Sequence, residues 1–168
     1  MFYPPFAIVL FLAFAFLPPV AWVLTPIAIT AWALWRLRPR PLAWFAIGVC
    51  LNAAPTSIVI AIGNPTIWAV AGVALATRWL PLAVLIFLKP TLFPFAFWGA
   101  NRRSWWVAAG ALALVGVAFL PLWPQWFAVL LNARGPQASL LYSLDVVPLM
   151  LIPLIAWFGR RPPRPPGS

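Results

Sequence analysis

The chain contains 168 residues, of which 65% are hydrophobic and 7% are charged, and its mean hydropathy is +1.00. A soluble domain usually contains only about 45–50% apolar residues, so this composition excludes an ordinary soluble protein. Histidine is absent, and Cys50 and Asp145 are the single cysteine and the single acid. Haem, zinc and di-metal centres are therefore excluded as well, and we expect no metal and no cofactor.

The length predicts the number of membrane segments. Because a spanning helix needs roughly 20 residues, we expect an all-α polytopic membrane protein with about five or six membrane segments. These form a single domain at residues 1–159, followed by a basic, proline-rich cytoplasmic tail at residues 160–168. The net charge is +10, and the arginines stand at the ends of apolar runs. That placement favours membrane lipid as the partner, and we expect no nucleic acid.

The first apolar run extends from Phe6 to Leu34 and is interrupted by Pro18 and Pro19. It is longer than one span requires, so it forms either one tilted, kinked helix or two shorter helices. It lacks a basic start and a small-residue cleavage site, and we therefore expect it to be retained. The sequence Trp-Arg-Leu-Arg-Pro-Arg-Pro at 35–41 follows it and predicts a cytoplasmic loop.

The second apolar run, Leu42 to Ile62, contains polar residues and a proline that predict a helix break near Asn52. A turn is predicted at 63–66, where the sequence is Gly-Asn-Pro-Thr, because glycine and asparagine tolerate left-handed backbone and proline can open a helix. The helix that follows is expected to run to about Thr77. Small residues around Gly72 give it a face suited to close helix packing.

The third apolar run, Pro81 to Gly99, contains Lys89, the only lysine in the chain, directly before Pro90. An ammonium at membrane depth is costly, so it normally faces protein, water or an anion. Proline removes a backbone donor at the same point. The coincidence of a charge with a helix break indicates a site built from irregular backbone.

Two topologies are open for this third run. If it crosses the membrane, the arginines divide five to five, with positions 36, 38, 40, 78 and 134 on one side. If it enters the membrane and returns, nine of the ten arginines share one side. The positive-inside rule favours the second arrangement. We therefore expect a broken or re-entrant pair of short helices with Lys89-Pro90 near its tip.

The last part of the chain predicts three further elements. The run 105–122 is expected to form an outward helix in which Gly110 and Gly116 allow close packing. Residues 125–137 are typical of a short interfacial helix on the outer surface. The final span is predicted at 140–158.

Several residues are candidates for a binding or catalytic site, and Asn52, Thr56 and Ser57 share the two alternatives given below for Asn64. Lys89 is suited to the phosphate of a lipid-linked sugar, or else it snorkels or caps carbonyls freed by the adjacent proline. Arg134 either holds a phosphate or sugar or meets lipid headgroups, and Asn64 either lines a polar cavity or bonds within its turn. Asp145 is the only carboxylate that can act as a base, and its alternative is to cap the last helix. Trp68 or Trp126 either stacks on a sugar or marks the membrane interface.

The order of several motifs is similar to that of a known family. A Pro-Thr-Ser segment leads to a Gly-Asn turn, a small-residue helix that ends in arginine, a Lys-Pro pair and an Arg-Arg-Ser-Trp-Trp boundary. These are residues 55–57, 63–64, 78, 89–90 and 102–106. Over a little more than half of the chain, this order resembles the polyprenyl-phosphate-sugar-dependent glycosyltransferases of the C superfamily, in particular the bacterial alpha-mannosyltransferase group.

The resemblance implies a bacterial inner-membrane protein in which a sugar passes from polyprenyl phosphate to an acceptor on the outer side, with Lys89 at the phosphate. Members of that family are longer and carry an essential acid in an early extracytoplasmic loop, whereas this chain has no acid before Asp145. We therefore expect a partial or catalytically incomplete relative whose base comes from a partner membrane chain or from Asp145. The alternative is a small non-enzymatic membrane subunit that packs against partner proteins or binds lipid. A transporter is less favoured, because a coupling acid within the bilayer is missing.

Overall fold

A computed structural model describes residues 3–14, 16–88, 93–132 and 146–161, and over these ranges the chain is all-α. The α-helices are α1 (Ala7–Phe14), α2 (Pro19–Leu37), α3 (Pro41–Asn52), α4 (Ala54–Ala61), α5 (Thr66–Ala76), α6 (Phe93–Ala96), α7 (Arg103–Ala118), α8 (Trp123–Asn132) and α9 (Val147–Phe158). A 3₁₀ helix, Leu80–Leu88, lies between α5 and α6, and a 3₁₀ turn, Leu120–Leu122, joins α7 to α8.

Prolines determine where several helices begin. Pro18 is extended and Pro19 opens α2, so the first apolar run forms two separate helices, which is one of the two alternatives predicted. Pro41 opens α3 in the same way. Pro26 lies inside α2 without ending it, and its carbonyl accepts a hydrogen bond of 2.8 Å from the Thr30 hydroxyl.

The expected break near Asn52 is confirmed. α3 ends at that residue, whose side-chain amide donates to the Gly48 carbonyl at 2.8 Å. Ala53 is extended, with a φ of −61° and a ψ of 128°, and α4 begins at the next residue. The buried hydroxyl of Thr56 donates to the Cys50 carbonyl at 2.8 Å, so a carbonyl left over at the end of α3 is satisfied.

The predicted turn before α5 is also confirmed. Gly63 has a φ of +61°, a left-handed conformation that glycine adopts without steric cost. Its carbonyl accepts a hydrogen bond of 2.7 Å from the indole of Trp22, which ties the turn to α2. α5 starts at Thr66, directly after Pro65, and ends at Ala76, one residue before the expected end.

Helix α5 is the centre of the molecule. Nearly all of its residues are buried, and it packs against the 3₁₀ helix, α2 and α9. Gly72 lets the 3₁₀ helix approach closely, because a β-carbon at that position would lie 3.4 Å from the β-carbon of Leu85. The predicted small-residue face is therefore a packing face, as expected.

The third apolar run folds back on itself. Gly99, with a φ of +113°, lies so close to the start of the 3₁₀ helix that an added β-carbon would be 3.0 Å from the β-carbon of Leu80. Trp105 at the start of α7 is buried and donates its indole hydrogen to the Ala96 carbonyl at 2.8 Å. The two ends of the run, Leu80 and Gly99, therefore meet at one end of the molecule.

The two glycines of α7 have different surroundings. A β-carbon at Gly116 would lie 3.5 Å from the ring of Trp123, so close packing at this position is confirmed. At Gly110 no described residue lies within 4 Å of an added β-carbon, and the packing role predicted for it stays a prediction. Both glycines interrupt an apolar run, and only the neighbouring tertiary structure distinguishes them.

Few of the described helices are long enough to span a membrane alone. α2 qualifies, with 19 residues, a mean hydropathy of 1.4 and only 17% of its apolar window buried. α7 and the segment Leu120–Asn132 qualify together, although they are bent by 72° at their junction. One or two helices can thus cross a bilayer by length and composition, fewer than the five or six segments predicted. Prolines and turns divide the other apolar runs into shorter helices, namely α3, α5 and α9.

Candidate functional site

The arginines of the described residues gather at one end of the molecule, here called the arginine end. It carries Arg36, Arg38, Arg40, Arg78, Arg102, Arg103, Arg160 and Arg161. The last residues of α2, α5, α6 and α9 and the first residues of α3, the 3₁₀ helix and α7 lie here. The groups at 36–40, 78, 102–103 and 160–161 are far apart in the sequence, so the fold brings them together.

Backbone contacts join two of these arginine groups. The Arg40 amide donates to the Gly159 carbonyl at 2.9 Å, and Pro39 forms an isolated antiparallel bridge with Arg160. The connector after α2 is thereby fixed to the end of α9. Arg160 also lies 4.3 Å from the ring centroid of Trp157, close enough for a cation–π interaction.

Aromatic contacts join the remaining groups. Trp157 packs edge-to-face on Trp98, with ring centroids 5.1 Å apart, which brings α9 beside the segment that leads to Arg102 and Arg103. On the other side, Trp79 stacks on Trp32 at 6.2 Å, which brings Arg78 beside the last turn of α2. Since Gly99 contacts Leu80, the arginine groups form one continuous cluster.

The opposite end contains Asn64, one of the sequence-predicted binding candidates that the structure describes. The side-chain oxygen of Asn64 accepts hydrogen bonds from the Thr66 amide at 2.9 Å, the Thr66 hydroxyl at 2.7 Å and the Tyr3 hydroxyl at 3.4 Å. Burial raises the pKa of Tyr3, and a hydrogen bond with Thr66 opposes this, so the phenol stays protonated and donates. Asn64 thus bonds within its turn, which was the second expectation for it, and its substrate contact stays a prediction.

An apolar groove of about 520 Å³ opens on the side of the molecule near this end. Its walls come from the segment before α1, the 3₁₀ helix, α7 and α8. They include Phe6, Phe87, Leu112, Gly116, Trp123 and Trp126. The residues come from three separate parts of the chain, at 4–6, 87 and 109–127, so sequence periodicity gives no sign of the groove.

Gly116 shapes the groove. The ring of Trp123 packs on α7 at this glycine and donates its indole hydrogen to the Gly116 carbonyl at 3.0 Å. Phe6 lies against the same ring, with centroids 6.1 Å apart. The groove is therefore bordered by rigid aromatic side chains whose positions are fixed by hydrogen bonding and packing.

Trp126 supplies an unusual polar group to the groove wall. Only 7% of this residue is exposed, and within the described ranges its indole nitrogen has no hydrogen-bond acceptor. A buried donor without an acceptor costs about 1–3 kcal/mol. The neighbouring Trp123 has its acceptor, so among the described groove residues Trp126 holds the one buried donor without an acceptor.

Three predicted site residues, Lys89, Arg134 and Asp145, lie outside the described residues, and so does the Lys89-Pro90 tip. Their roles therefore stay predictions. Phe87, two residues before Lys89 in the sequence, is the nearest described groove residue to that lysine along the chain. Trp126 was predicted as a residue for sugar stacking or for the interface, and its unsatisfied nitrogen was not predictable from sequence.

In comparisons with known proteins, no family model, no curated protein and no solved structure matches the chain. The resemblance to the polyprenyl-phosphate-sugar glycosyltransferases therefore depends on the sequence motifs alone.

Proposed function

We propose that this chain is a helical integral membrane protein that binds a lipid in its aromatic-walled groove. The observation that carries the proposal is the groove itself, an apolar volume of about 520 Å³ with aromatic walls. Apolar pockets with a few polar groups are the usual form of a small-molecule site. A hydrocarbon chain fits the walls, and a rotation of the Trp126 ring on binding would bring its buried indole nitrogen to a carbonyl or phosphate oxygen of the same molecule.

The surface of the molecule supports a membrane location. Large apolar side chains remain exposed on α2, α3 and α7, including Val20, Phe45 and Leu114, and the arginines lie at one end instead of around the molecule. This distribution agrees with the positive-inside rule, which favours cytoplasmic arginines. We therefore propose an inner-membrane location with the arginine end, including the start of the tail at 160–168, on the cytoplasmic side.

The membrane topology is also a proposal. α2 is long enough to cross, whereas α5, with 11 residues, extends only about 16 Å and is shielded from lipid by its neighbours. Short helices are tolerated at membrane depth where protein surrounds them. We propose about five or six membrane segments in total. One of them is the re-entrant pair made by the 3₁₀ helix and α6, and its two ends both lie at the arginine end.

A second function, that of an incomplete glycosyltransferase, has one observation in its favour. Phe87 lines the groove and precedes Lys89 by two residues, so the predicted phosphate-binding lysine follows the lipid-binding wall in the sequence. A polyprenyl phosphate would place its chain in the groove and its phosphate at Lys89. In this reading the base comes from a partner membrane chain or from Asp145, and the chain by itself binds the donor without transferring the sugar.

Filling the groove tests the lipid proposal. We expect Gly116→Leu to place a side chain in the groove and to remove most of the lipid that remains bound after purification in mild detergent. Gly110→Leu is the matched control, because it adds the same side chain to the same helix where no described residue lies within 4 Å. Lipid is measured by mass spectrometry of the purified protein, and equal lipid content in both variants would contradict the proposal.

The identity of the bound lipid decides between the two functions. A polyprenyl phosphate that is lost in Lys89→Ala, together with a stoichiometric partner chain, supports the split transferase. A phospholipid that is insensitive to Lys89→Ala supports the non-enzymatic lipid-binding subunit.

A further inference from the structure

A second pocket, of about 390 Å³, lies at the arginine end between the last turn of α2 and the end of α5. Its lining combines apolar, hydroxyl and cationic groups. The residues are Trp32, Ala33, Arg36, Leu37, Thr77 and Arg78. None of these residues borders the lipid groove, so the two sites are separate.

Two stacked tryptophans hold the two cations in place. The rings of Trp32 and Trp79 lie 6.2 Å apart and are inclined by only 14°. The guanidinium carbon of Arg36 lies 5.8 Å from the Trp32 centroid, and that of Arg78 lies 5.7 Å from the Trp79 centroid. Each cation therefore lies beside one ring of the pair, which lowers the freedom of two otherwise flexible side chains.

These two guanidiniums lack an acceptor in the part of the chain that is described. Neither forms a hydrogen bond or an ion pair there, and the only acid of the whole sequence, Asp145, lies outside that part. The Thr77 hydroxyl is also occupied, since it donates to the Ala74 carbonyl at 2.6 Å. Two cations that share one pocket repel each other, and an anion from outside the chain would remove that repulsion.

We propose that this pocket binds the phosphate group of an anionic phospholipid from the leaflet at the arginine end. Guanidinium groups bind phosphate through paired, charge-assisted hydrogen bonds, and the indole rings lie where tryptophan usually meets the headgroup region. The phosphate lies between Arg36 and Arg78, and the acyl chains follow the exposed apolar surface of α2. The inference depends on the proposed membrane location but does not depend on the groove.

The test compares two double variants that remove the same charge from the same end. Binding of phosphatidylglycerol and phosphatidylcholine to the detergent-solubilised protein is measured by native mass spectrometry. We expect Arg36→Gln with Arg78→Gln to weaken phosphatidylglycerol binding by about tenfold or more, since two charge-assisted contacts are lost. Arg102→Gln with Arg103→Gln is the control, because these exposed arginines do not line the pocket, and we expect a change of less than about threefold.

Each other outcome overturns the proposal. If both double variants lose phosphatidylglycerol binding equally, the lipid is attracted by the overall positive charge of the arginine end and not by the pocket. Unchanged binding in the first variant, with thermal unfolding unchanged, would place the lipid elsewhere. Inorganic phosphate alone serves as a further probe, and if it binds the pocket as tightly as phosphatidylglycerol does, a free anion is the ligand.

The failure of this inference can be distinguished from the failure of the proposed function. Extraction of the protein from membranes by alkaline carbonate would contradict the membrane location itself. If the protein stays in the membrane but the two double variants bind phosphatidylglycerol equally well, only the phosphate pocket is contradicted.

Discussion

Arg38 carries the clearest backbone strain among the described residues other than glycine. It ends α2 with a φ of +47° and a ψ of 61°, and its amide donates to the Leu34 carbonyl at 3.2 Å. For a residue with a β-carbon this left-handed conformation costs roughly 1–2 kcal/mol, whereas glycine adopts it freely. The sequence predicted a cytoplasmic loop here but gave no sign that an arginine would occupy a position suited to glycine.

Arg38→Gly is therefore expected to raise the free energy of unfolding by about 1 kcal/mol, in spite of the greater freedom of glycine in the unfolded chain. Arg40→Gly is the matched control, since Arg40 has an ordinary φ of −67° and loses the same charge. Chemical denaturation in detergent measures both. A gain of equal size in the two variants would attribute the effect to charge removal and not to backbone strain.

Trp123 and Trp126 offer a second comparison at the residue scale. Both line the groove, but only Trp123 has a hydrogen-bond acceptor among the described residues. In delipidated protein, Trp123→Phe is expected to cost about 1 kcal/mol more stability than Trp126→Phe, because only the first substitution removes a hydrogen bond.

For lipid retention we expect the opposite order. Trp126→Phe should impair retention more than Trp123→Phe, because it removes the indole donor proposed to bind the lipid. Thermal unfolding and lipid quantification of the same preparations measure the two effects. Equal stability losses, together with unimpaired lipid retention in Trp126→Phe, would contradict the role assigned to the indole of Trp126.

At the scale of the elements, the sequence predicted the helix boundaries better than the contacts between helices. Pro19 and Asn52 are local signals, and the helices begin and end beside them as expected. The groove could not be predicted, since Phe6, Phe87 and Trp123 are brought together only by tertiary packing. The same reason explains why Gly110 and Gly116 could not be distinguished in advance.

The contact between α9 and α3 depends on a glycine. A β-carbon at Gly159 would overlap the β-carbon of Ala43 and approach the Ile155 carbonyl at 2.9 Å. Gly159→Ala is expected to destabilise the protein by about 1–3 kcal/mol, because neither neighbour can move without shifting a helix.

Gly48→Ala in α3 provides the control. No atom of the described ranges lies within 4 Å of an added β-carbon there, and we expect a gain of up to about 1 kcal/mol from the higher helix propensity of alanine. Both effects are measured as shifts in the free energy of unfolding. A Gly159→Ala protein as stable as the original chain would show that α9 does not pack closely on α3.

At the scale of the whole molecule, the charge distribution was the most informative part of the sequence. The arginine count favoured a re-entrant third run, and the fold brings the ends of that run, Leu80 and Gly99, together at the arginine end. The meeting of these two ends is compatible with the re-entrant arrangement, which stays a prediction because it depends on how all of the loops lie relative to the membrane. The arginine count could not reveal the pocket at Arg36 and Arg78, since that pocket depends on how Trp32 and Trp79 stack.

The most direct test of this account is the sidedness of three single cysteines in a Cys50→Ala background. Leu42→Cys lies at the start of α3, Asn101→Cys follows the re-entrant pair, and Asn132→Cys ends α8, and all three positions are exposed. Labelling by a membrane-impermeant maleimide is compared in intact cells and inside-out vesicles. We predict that positions 42 and 101 react only from the cytoplasmic side and that position 132 reacts only from the opposite side. If positions 42 and 132 react from one side and position 101 from the other, the third run crosses the membrane and the re-entrant topology is wrong.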